Sequence, residues 1–304
     1  MRDTIARRAY RACGVRLQPV RPTLNCAPTS VVGLAVDLLH VISLALMQGL
    51  TEFLPISTSA HLVLPSMVFG WPLQGLVLDV ALHLGSLVAV VAYFRRDLLH
   101  FGAGLWRWVR EGQADVYVRL MAQVVTATIP IVALGILLRD WIEPRPRSLI
   151  LIAATAIGFA LLMWVADTRI ERSGATEFEL SWRDALLIGL LQMLAIVPGT
   201  SRSGITITAG LLLGMSREAA SRFAFLLAIP TILGTTTLGA IGAARAHLAI
   251  DWTGASVGFA VSALVSFVSI HYFLIWIERT GMAPYVAYLL AIGAVLLGIG
   301  WVRG

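Results

Sequence analysis

Long apolar segments separated by short polar ones run along most of the chain. From residue 31 onward many of these segments are close to 20 residues long, the length that a helix needs to cross a membrane. We predict full spans at about residues 76–94, 118–138, 148–166, 219–244, 252–275 and 283–302. The pattern therefore predicts an all-α polytopic membrane protein.

Two further apolar segments are shorter, and each is broken by a proline. The first, residues 31–47, leads into a helix that stops at Pro55, because proline cannot continue the helical hydrogen-bond ladder. The second, residues 186–196, stops at Pro198. A broken helix at membrane depth is tolerated only where it faces protein or a water-filled cavity. Both breaks are therefore candidate sites.

Each broken segment precedes three predicted spans, which divides the chain into two similar halves. Gln48 and Gln192 precede the two prolines by seven and six residues. Because three spans separate the broken segments, the second must enter the membrane from the opposite face. We predict one membrane domain, residues 31–304, built as an inverted repeat. Each repeat, about 31–166 and about 184–304, is a broken re-entrant helical hairpin plus three transmembrane helices.

Composition supports a membrane protein. The chain is 58% hydrophobic and 13% charged, whereas about a quarter of a soluble globular chain is charged. The net charge of +6 does not indicate a nucleic-acid partner, because arginines at membrane edges explain it. Residues 1–30 hold six arginines and no apolar run, and we expect a disordered Arg-rich tail. Arginine counts predict that loops such as 95–119 are cytoplasmic and that both termini are outside.

The first break, residues 48–61, concentrates polar chemistry in an apolar part of the chain. Gln48 and Glu52 are four residues apart and share one helix face. Intramembrane carboxylates are functional candidates by default, so we expect Glu52 to be a base or a metal ligand. Gln48 either supports it or joins two helices, and the imidazole of His61 either transfers protons or caps a carbonyl. The hydroxyl groups of this break include those of Ser57, Thr58 and Ser59.

The second break, residues 198–204, is the loop best suited to an anion. The guanidinium of Arg202 can bind phosphate oxygens bidentately, and Gly199 allows backbone N–H groups to approach an oxyanion. Ser201 and Ser203 add hydroxyl donors. An arginine at bilayer depth costs at least about 2.5–3.5 kcal/mol, which either a bound phosphate or a pair with Glu52 would offset. We predict that Glu52 and Arg202 lie in contact.

A polar pair also occurs on the first full span. Asp79 and His83 are four residues apart; they form either a pair that supports the site or a local salt bridge, and we favour the local salt bridge.

Both breaks resemble the two signature motifs of one bacterial family. The motifs are Gln48-xxx-Glu52 followed by Pro-Ile-Ser-Thr-Ser-Ala-His61, and Pro198-Gly-Thr-Ser-Arg-Ser-Gly-Ile-Thr206. They resemble the undecaprenyl-pyrophosphate phosphatase (bacitracin-resistance) family from about residue 35 to the C-terminus. The resemblance implies hydrolysis of the C55 polyprenyl diphosphate carrier to its monophosphate, which recycles the carrier for peptidoglycan synthesis and confers bacitracin resistance. It also implies the bacterial inner membrane, with a site that opens to the extracytoplasmic side.

The resemblance assigns roles to residues of both motifs. It implies a divalent cation, Mg or Ca, with Glu52 as its ligand. The chain has Ser57-Thr58 where the family often has two consecutive serines, so the nucleophile is open between Thr58, Ser57, His61 and an activated water. The implied catalytic residues are Glu52, Thr58, His61 and Arg202, and the implied substrate-binding residues are Gln48, Ser57, Ser59, Gly199, Ser201, Ser203 and Thr206.

A lipid-phosphate transporter or flippase is the alternative function. Inverted repeats with broken helices are the usual layout of secondary transporters, and flipping a lipid phosphate would use the same arginine. The grouping of Glu52, hydroxyls and His61 favours an enzyme, because binding alone does not require it. The expected partners are the polyprenyl diphosphate and membrane lipid, and a homodimer is left open.

Overall fold

Helices dominate the structure. The computed structural model describes residues 31–58, 60–62, 71, 75–138, 149–169 and 174–303. Those residues contain no strand beyond an isolated bridge between Ala175 and Met215, which confirms the all-α prediction. The chain divides into two compact units, Met1–Val36 and Asp37–Gly304. Of the first unit only residues 31–36, which are helical, are described; the predicted tail, residues 1–30, lies outside the described residues.

Most predicted helices form close to their expected bounds. The α-helices with defined bounds are α1 (Val31–Thr51), α2 (Leu76–Tyr93), α3 (Arg95–Glu111), α4 (Val116–Leu137), α5 (Leu149–Thr168), α6 (Trp182–Gln192), α7 (Arg202–Leu212), α8 (Arg217–Arg245), α9 (Trp252–Thr280) and α10 (Ala283–Arg303). A 3₁₀ helix, Met193–Ile196, lies between α6 and α7. Among these described helices six, α2, α4, α5, α8, α9 and α10, are long and apolar enough to cross a membrane, so the chain is a multi-pass membrane protein.

Side-chain caps account for several helix starts. The Asp115 carboxylate accepts from the Val118 N–H at the start of α4, and Ser181 and Asp184 form a reciprocal capping box at the start of α6. The Ser201 hydroxyl accepts from the Gly204 N–H at 3.2 Å. This cap starts α7 at Arg202.

Small residues allow the spans to pack closely. Helix α9 packs along α2, and α10 packs along α5. Between α2 and α9, the Ser86 hydroxyl lies 3.1 Å from that of Ser262 and 3.0 Å from that of Ser266. A Cβ atom on Gly85 would collide with the backbone carbonyl of Phe259. Such contacts between small and hydroxyl-bearing side chains are typical of membrane helix packing.

Ion pairs join helix ends and one loop at one end of the bundle. Arg222, near the start of α8, donates to Glu177 at 2.6 Å and to Asp97 at 2.8 Å, and Arg217 donates to Asp167 at 2.6 Å. The end of α5, the loop before α6 and the starts of α3 and α8 therefore share this end, called here the ion-pair end. At the far end of α8, glycines pack against the side chain of the first residue of α2, Leu76.

Candidate active site

Glu52 is the centre of the polar cluster at the first break. It is 9% exposed, directly after α1. Its Oε2 accepts from Gln48 Nε2 at 2.9 Å and from Thr58 Oγ1 at 3.4 Å. The Nε2 atom of His83 lies 4.0 Å from the same oxygen. The helix face predicted to hold Gln48 and Glu52 thus turns both side chains to one point, although α1 ends at Thr51, before Pro55 is reached.

Arg202 reaches the same carboxylate from the second break. It is the first residue of α7, and its Nη2 donates to Glu52 Oε1 at 3.1 Å across 150 positions of sequence. The predicted contact between Glu52 and Arg202 is therefore confirmed. Its other terminal nitrogen, Nη1, is buried and finds no hydrogen-bond partner in the part of the chain that the structure describes. One arm of the guanidinium holds Glu52, and the other is available for an anion.

The hydroxyl groups of the second break form hydrogen bonds within the protein, mostly to backbone groups. Ser203 Oγ donates to the backbone carbonyl of Leu54 at 3.0 Å, which joins the two breaks directly. The Ser201 hydroxyl caps α7 and lies 3.2 Å from that of Ser203. Thr206 is buried and donates to the carbonyl of Arg202 at 2.9 Å, within its own helix. The three hydroxyls therefore shape the break around Arg202.

Gly199 brings the second break against α5. Its φ is +96°, a conformation that side chains disfavour. A Cβ atom there would lie 2.5 Å from the carbonyl oxygen of Ile152 and would collide with Thr155. Thr155 in turn donates to the carbonyl of Pro198 at 2.7 Å. Glycine is needed here for close packing as well as for the conformation of the loop.

Ser57 and His61 lie beside the last helix. Ser57 is buried with φ +65°, and its carbonyl oxygen lies 2.8 Å from His61 Nδ1. The other ring nitrogen, Nε2, lies 2.6 Å from the hydroxyl oxygen of Tyr288 on α10. Of the remaining expected residues, Ser59 lies outside the described residues.

Two neighbours of the cluster were not assigned to it from sequence. His83 faces Glu52, and its Nδ1 contacts the backbone carbonyl oxygen of Asp79 at 2.8 Å, so this histidine belongs to the site rather than only to a local pair. Its signal was an ionisable residue inside a span, which is a functional candidate by default. Tyr288 gave no such signal, because it is one of several aromatic residues on the spans.

A comparison with family models identifies the family. The model described as "Bacitracin resistance protein BacA" matches residues 41–295, which include both breaks. The chain belongs to the BacA family. It is 48% identical over 263 residues to the undecaprenyl-diphosphatase of Alteromonas mediterranea, an alignment that covers 86% of this chain and 97% of the relative. It is also 48% identical over 269 residues to undecaprenyl-diphosphatase 2 of Stutzerimonas stutzeri, with coverages of 86% and 97%.

The polar cluster of this BacA family member suits a hard divalent cation. No group of three or more His, Cys, Asp or Glu side chains within the described ranges could hold a metal on its own. However, Gln48 Oε1 is fully buried and finds no hydrogen-bond partner there, and it belongs to the side chain that contacts Glu52. Mg²⁺ and Ca²⁺ prefer oxygen ligands, and Mg²⁺ is commonly held by one or two carboxylates plus substrate phosphates. The residues present therefore fit such an ion.

Proposed function

We propose that this protein hydrolyses undecaprenyl diphosphate to undecaprenyl monophosphate and phosphate, and so recycles the lipid carrier and confers bacitracin resistance. The observation that carries the proposal is the Glu52–Arg202 contact at 3.1 Å, in which Arg202 Nη1 finds no hydrogen-bond partner among the described residues. The Nη1 group of Arg202 can bind a phosphate oxygen, and the adjacent carboxylate and hydroxyl can act as base and nucleophile in phosphoryl transfer. The names of the two relatives support the substrate.

Arg202 and the N-terminus of α7 stabilise the charge of the transferred phosphoryl group. The Nη1–H of Arg202 donates to a phosphate oxygen while Nη2 keeps its contact with Glu52. The first-turn N–H groups of α7 and the positive end of its dipole face the same break. Because phosphoryl transfer depends mainly on positioning and charge stabilisation, these groups supply much of the catalysis.

Thr58 is the proposed nucleophile and Glu52 its base. The Thr58 hydroxyl already points to Glu52 Oε2 at 3.4 Å, a long contact of the kind that tightens when substrate binds. Glu52 takes the hydroxyl proton as the oxygen attacks the terminal phosphorus, and the P–O bond to the lipid monophosphate breaks. The proton passes to the departing monophosphate. Water then attacks the phosphothreonine, Glu52 takes the proton of the water, and the threonine oxygen recovers it.

The proposed cation is Mg²⁺ or Ca²⁺, held by Glu52 and Gln48. When bound, such an ion supplies positive charge that neutralises the phosphate oxygens. The carboxylate of Glu52 supports this choice of ligands, as does Gln48 Oε1, which has no hydrogen-bond partner within the ranges that the structure describes.

Phosphate release from purified protein tests the function. We expect the protein in detergent to release inorganic phosphate from undecaprenyl diphosphate, and a chelator to abolish the release until Mg²⁺ or Ca²⁺ is restored. A transporter would bind or move the lipid without releasing phosphate. Absence of release with the ion restored would reject the proposed function.

An inverted repeat is the proposed origin of the fold, and its helix contacts support it. If α2, α4 and α5 correspond to α8, α9 and α10, the contact of α2 with α9 corresponds to the contact of α8 with α4, and both occur. The first break contacts α10 through His61 and Tyr288, and the second contacts α5 through Pro198 and Thr155. Glu52 lies four residues after Gln48, and the corresponding position four residues after Gln192 is Ile196. The second break would therefore share the fold of the first but lack its carboxylate.

We further propose the bacterial inner membrane, with the ion-pair end of the bundle in the cytoplasm. The second hairpin, α6 and α7, opens to that end, because the loop before it holds Glu177 and the helix after it, α8, begins at Arg217, and both residues form ion pairs there. The first hairpin precedes α2, whose first residue packs beside the far end of α8. Glu52 and Thr58 would then face the extracytoplasmic side.

Thiol labelling tests this orientation. With Cys13 and Cys26 replaced by Ser, we place single cysteines at two exposed positions, Gln113 between α3 and α4 and Leu248 between α8 and α9. A membrane-impermeant reagent should label Leu248→Cys in intact cells and Gln113→Cys only after permeabilisation. Labelling of both from the same side would contradict the topology, and the reverse pattern would place the first hairpin on the cytoplasmic side.

Replacing Arg202 by Lys should lower kcat/KM by about 100-fold without unfolding the protein. Lysine keeps the charge but lacks the planar fork that holds Glu52 and a phosphate oxygen together, and loss of one charge-stabilising donor typically costs about 10²–10³ in rate. The measurement is the initial rate of phosphate release. Arg245→Lys, at an exposed position at the end of α8, is the matched control. Near-normal turnover of Arg202→Lys would show that the guanidinium is structural.

A further inference from the structure

Both ring nitrogens of His61 are occupied by the protein itself. Nδ1 lies 2.8 Å from the carbonyl oxygen of Ser57, and Nε2 lies 2.6 Å from the hydroxyl of Tyr288. A carbonyl oxygen can only accept, so Nδ1 carries the proton of the neutral ring and Nε2 carries the lone pair. The Tyr288 hydroxyl therefore donates to Nε2. In this arrangement the ring has no nitrogen left to take a proton from a nucleophile.

The backbone that His61 contacts needs support. Ser57 has φ +65°, a left-handed conformation that is uncommon for a residue other than glycine and persists when its surroundings hold it. The N–H of the His61 ring holds the carbonyl of this residue. The next residue is Thr58, so the direction of the Thr58 hydroxyl toward Glu52 depends on the same backbone.

We propose that Tyr288 is a positioning residue for the phosphatase reaction. Its hydroxyl fixes the His61 ring, the ring holds the left-handed backbone of Ser57, and this backbone aims the Thr58 hydroxyl at Glu52. His61 then acts as a brace, and Glu52 is the base. The inference rests on the proposed function, because it assigns a role within that reaction.

The second break has a corresponding brace. Thr155 of α5 donates to the carbonyl of Pro198 at 2.7 Å, as Tyr288 of α10 supports the first break through His61. Helices α5 and α10 also pack along each other. Each break is thus held by the last span of the opposite half. A hydroxyl supplied from that span at both breaks indicates that the Tyr288 contact is part of the architecture of the site.

The first test removes only the Tyr288 hydroxyl. Tyr288→Phe should lower kcat for phosphate release by about tenfold, the size of one buried hydrogen bond, while KM changes by less than about twofold, because Tyr288 does not hold the phosphate. Tyr285→Phe is the matched control: it lies on the same helix, and its ring packs against Phe273. Equal kcat values for the Tyr288→Phe and Tyr285→Phe variants would overturn the proposal.

A double-mutant cycle separates a brace from a base. In His61→Asn the amide nitrogen can replace Nδ1 as donor to Ser57, but nothing replaces Nε2. We expect His61→Asn to keep kcat within about tenfold of wild type, and Tyr288→Phe to cost less than about twofold more in that background. A general base would instead lose about 10²–10⁴-fold in His61→Asn. Such a loss, or additive effects of the two changes, would overturn the proposal.

Failure of this inference is distinguishable from failure of the proposed function. If wild-type protein with added cation releases no phosphate, the function is wrong. If wild type turns over and Tyr288→Phe matches it, only the role of Tyr288 is wrong. Melting temperatures of all variants, measured in the same detergent, show whether a slow variant is also destabilised. If Tyr288→Phe melts at a lower temperature, the kcat of His61→Asn still tests whether His61 positions Ser57 or acts as the general base.

Discussion

Phosphate release should fall by more than about 10³-fold when Glu52 is replaced by Gln. Glutamine keeps the shape of the side chain, but it can neither take a proton from Thr58 nor supply the negative charge that attracts a cation, and general-base catalysis alone contributes about 10²–10⁴-fold. It also removes the negative charge that pairs with Arg202 at 3.1 Å. The measurement is the initial rate at saturating undecaprenyl diphosphate, with Mg²⁺ or Ca²⁺ present.

Two further variants separate the roles of this carboxylate. Glu111→Gln, at an exposed position at the end of α3, is the control and should match wild type. Glu52→Asp keeps the charge on a shorter arm, and its activity should recover in part at high cation concentration if Glu52 binds the ion. If the activity of Glu52→Asp does not depend on cation concentration, Glu52 acts only as the general base. Wild-type turnover in Glu52→Gln would remove Glu52 from the mechanism.

Thr58→Ala should lose at least about 10²-fold in kcat, whereas Thr58→Ser should keep most of the activity. Serine supplies the same oxygen without the methyl group that stiffens threonine at χ1, and alanine supplies no nucleophile. The contact of this hydroxyl with Glu52 at 3.4 Å is the reason for choosing it. Initial rates of phosphate release, with melting curves for each variant, are the measurements.

The neighbouring hydroxyl gives the comparison for Thr58. Ser57 is fully buried, so Ser57→Ala should cost less than Thr58→Ala. Thr237→Ala, which removes an exposed hydroxyl bonded within α8, should cost nothing. Normal turnover in Thr58→Ala would show that Thr58 is only a helix cap, and would assign the attack to Ser57 or to activated water.

The Glu52–Arg202 contact was predictable because both residues have a clear signal in the sequence. Glu52 and Arg202 are ionisable residues at two matched proline breaks, and a charge at membrane depth requires a partner. The four-residue spacing of Gln48 and Glu52 likewise predicted a shared face, which the 2.9 Å contact confirms. Local periodicity and the cost of buried charge were sufficient for these residues.

Other contacts depended on how the helices pack, which local patterns do not contain. Tyr288 and His61 are 227 positions apart, and nothing in the composition of α10 separates this tyrosine from those that only pack. The sequence predicts that Gly199 lets backbone N–H groups approach an oxyanion, but the structure also shows that this glycine packs closely against α5. The hydrogen bond from Ser203 to the carbonyl of Leu54 uses a backbone acceptor, and a motif of side chains does not predict such a contact.

The separation of 150 positions between Glu52 and Arg202 has a consequence for biosynthesis. At about 5–20 residues per second, the ribosome needs roughly 8 to 30 s to reach the arginine after it has made the glutamate. During that interval the nascent chain contains the carboxylate of Glu52, but its ion-pair partner Arg202 has not yet been translated. A charge at membrane depth costs at least about 2.5–3.5 kcal/mol, so the first half is an unfinished insertion product until the second half arrives. A chain truncated before Arg202 would keep the uncompensated charge of Glu52 permanently.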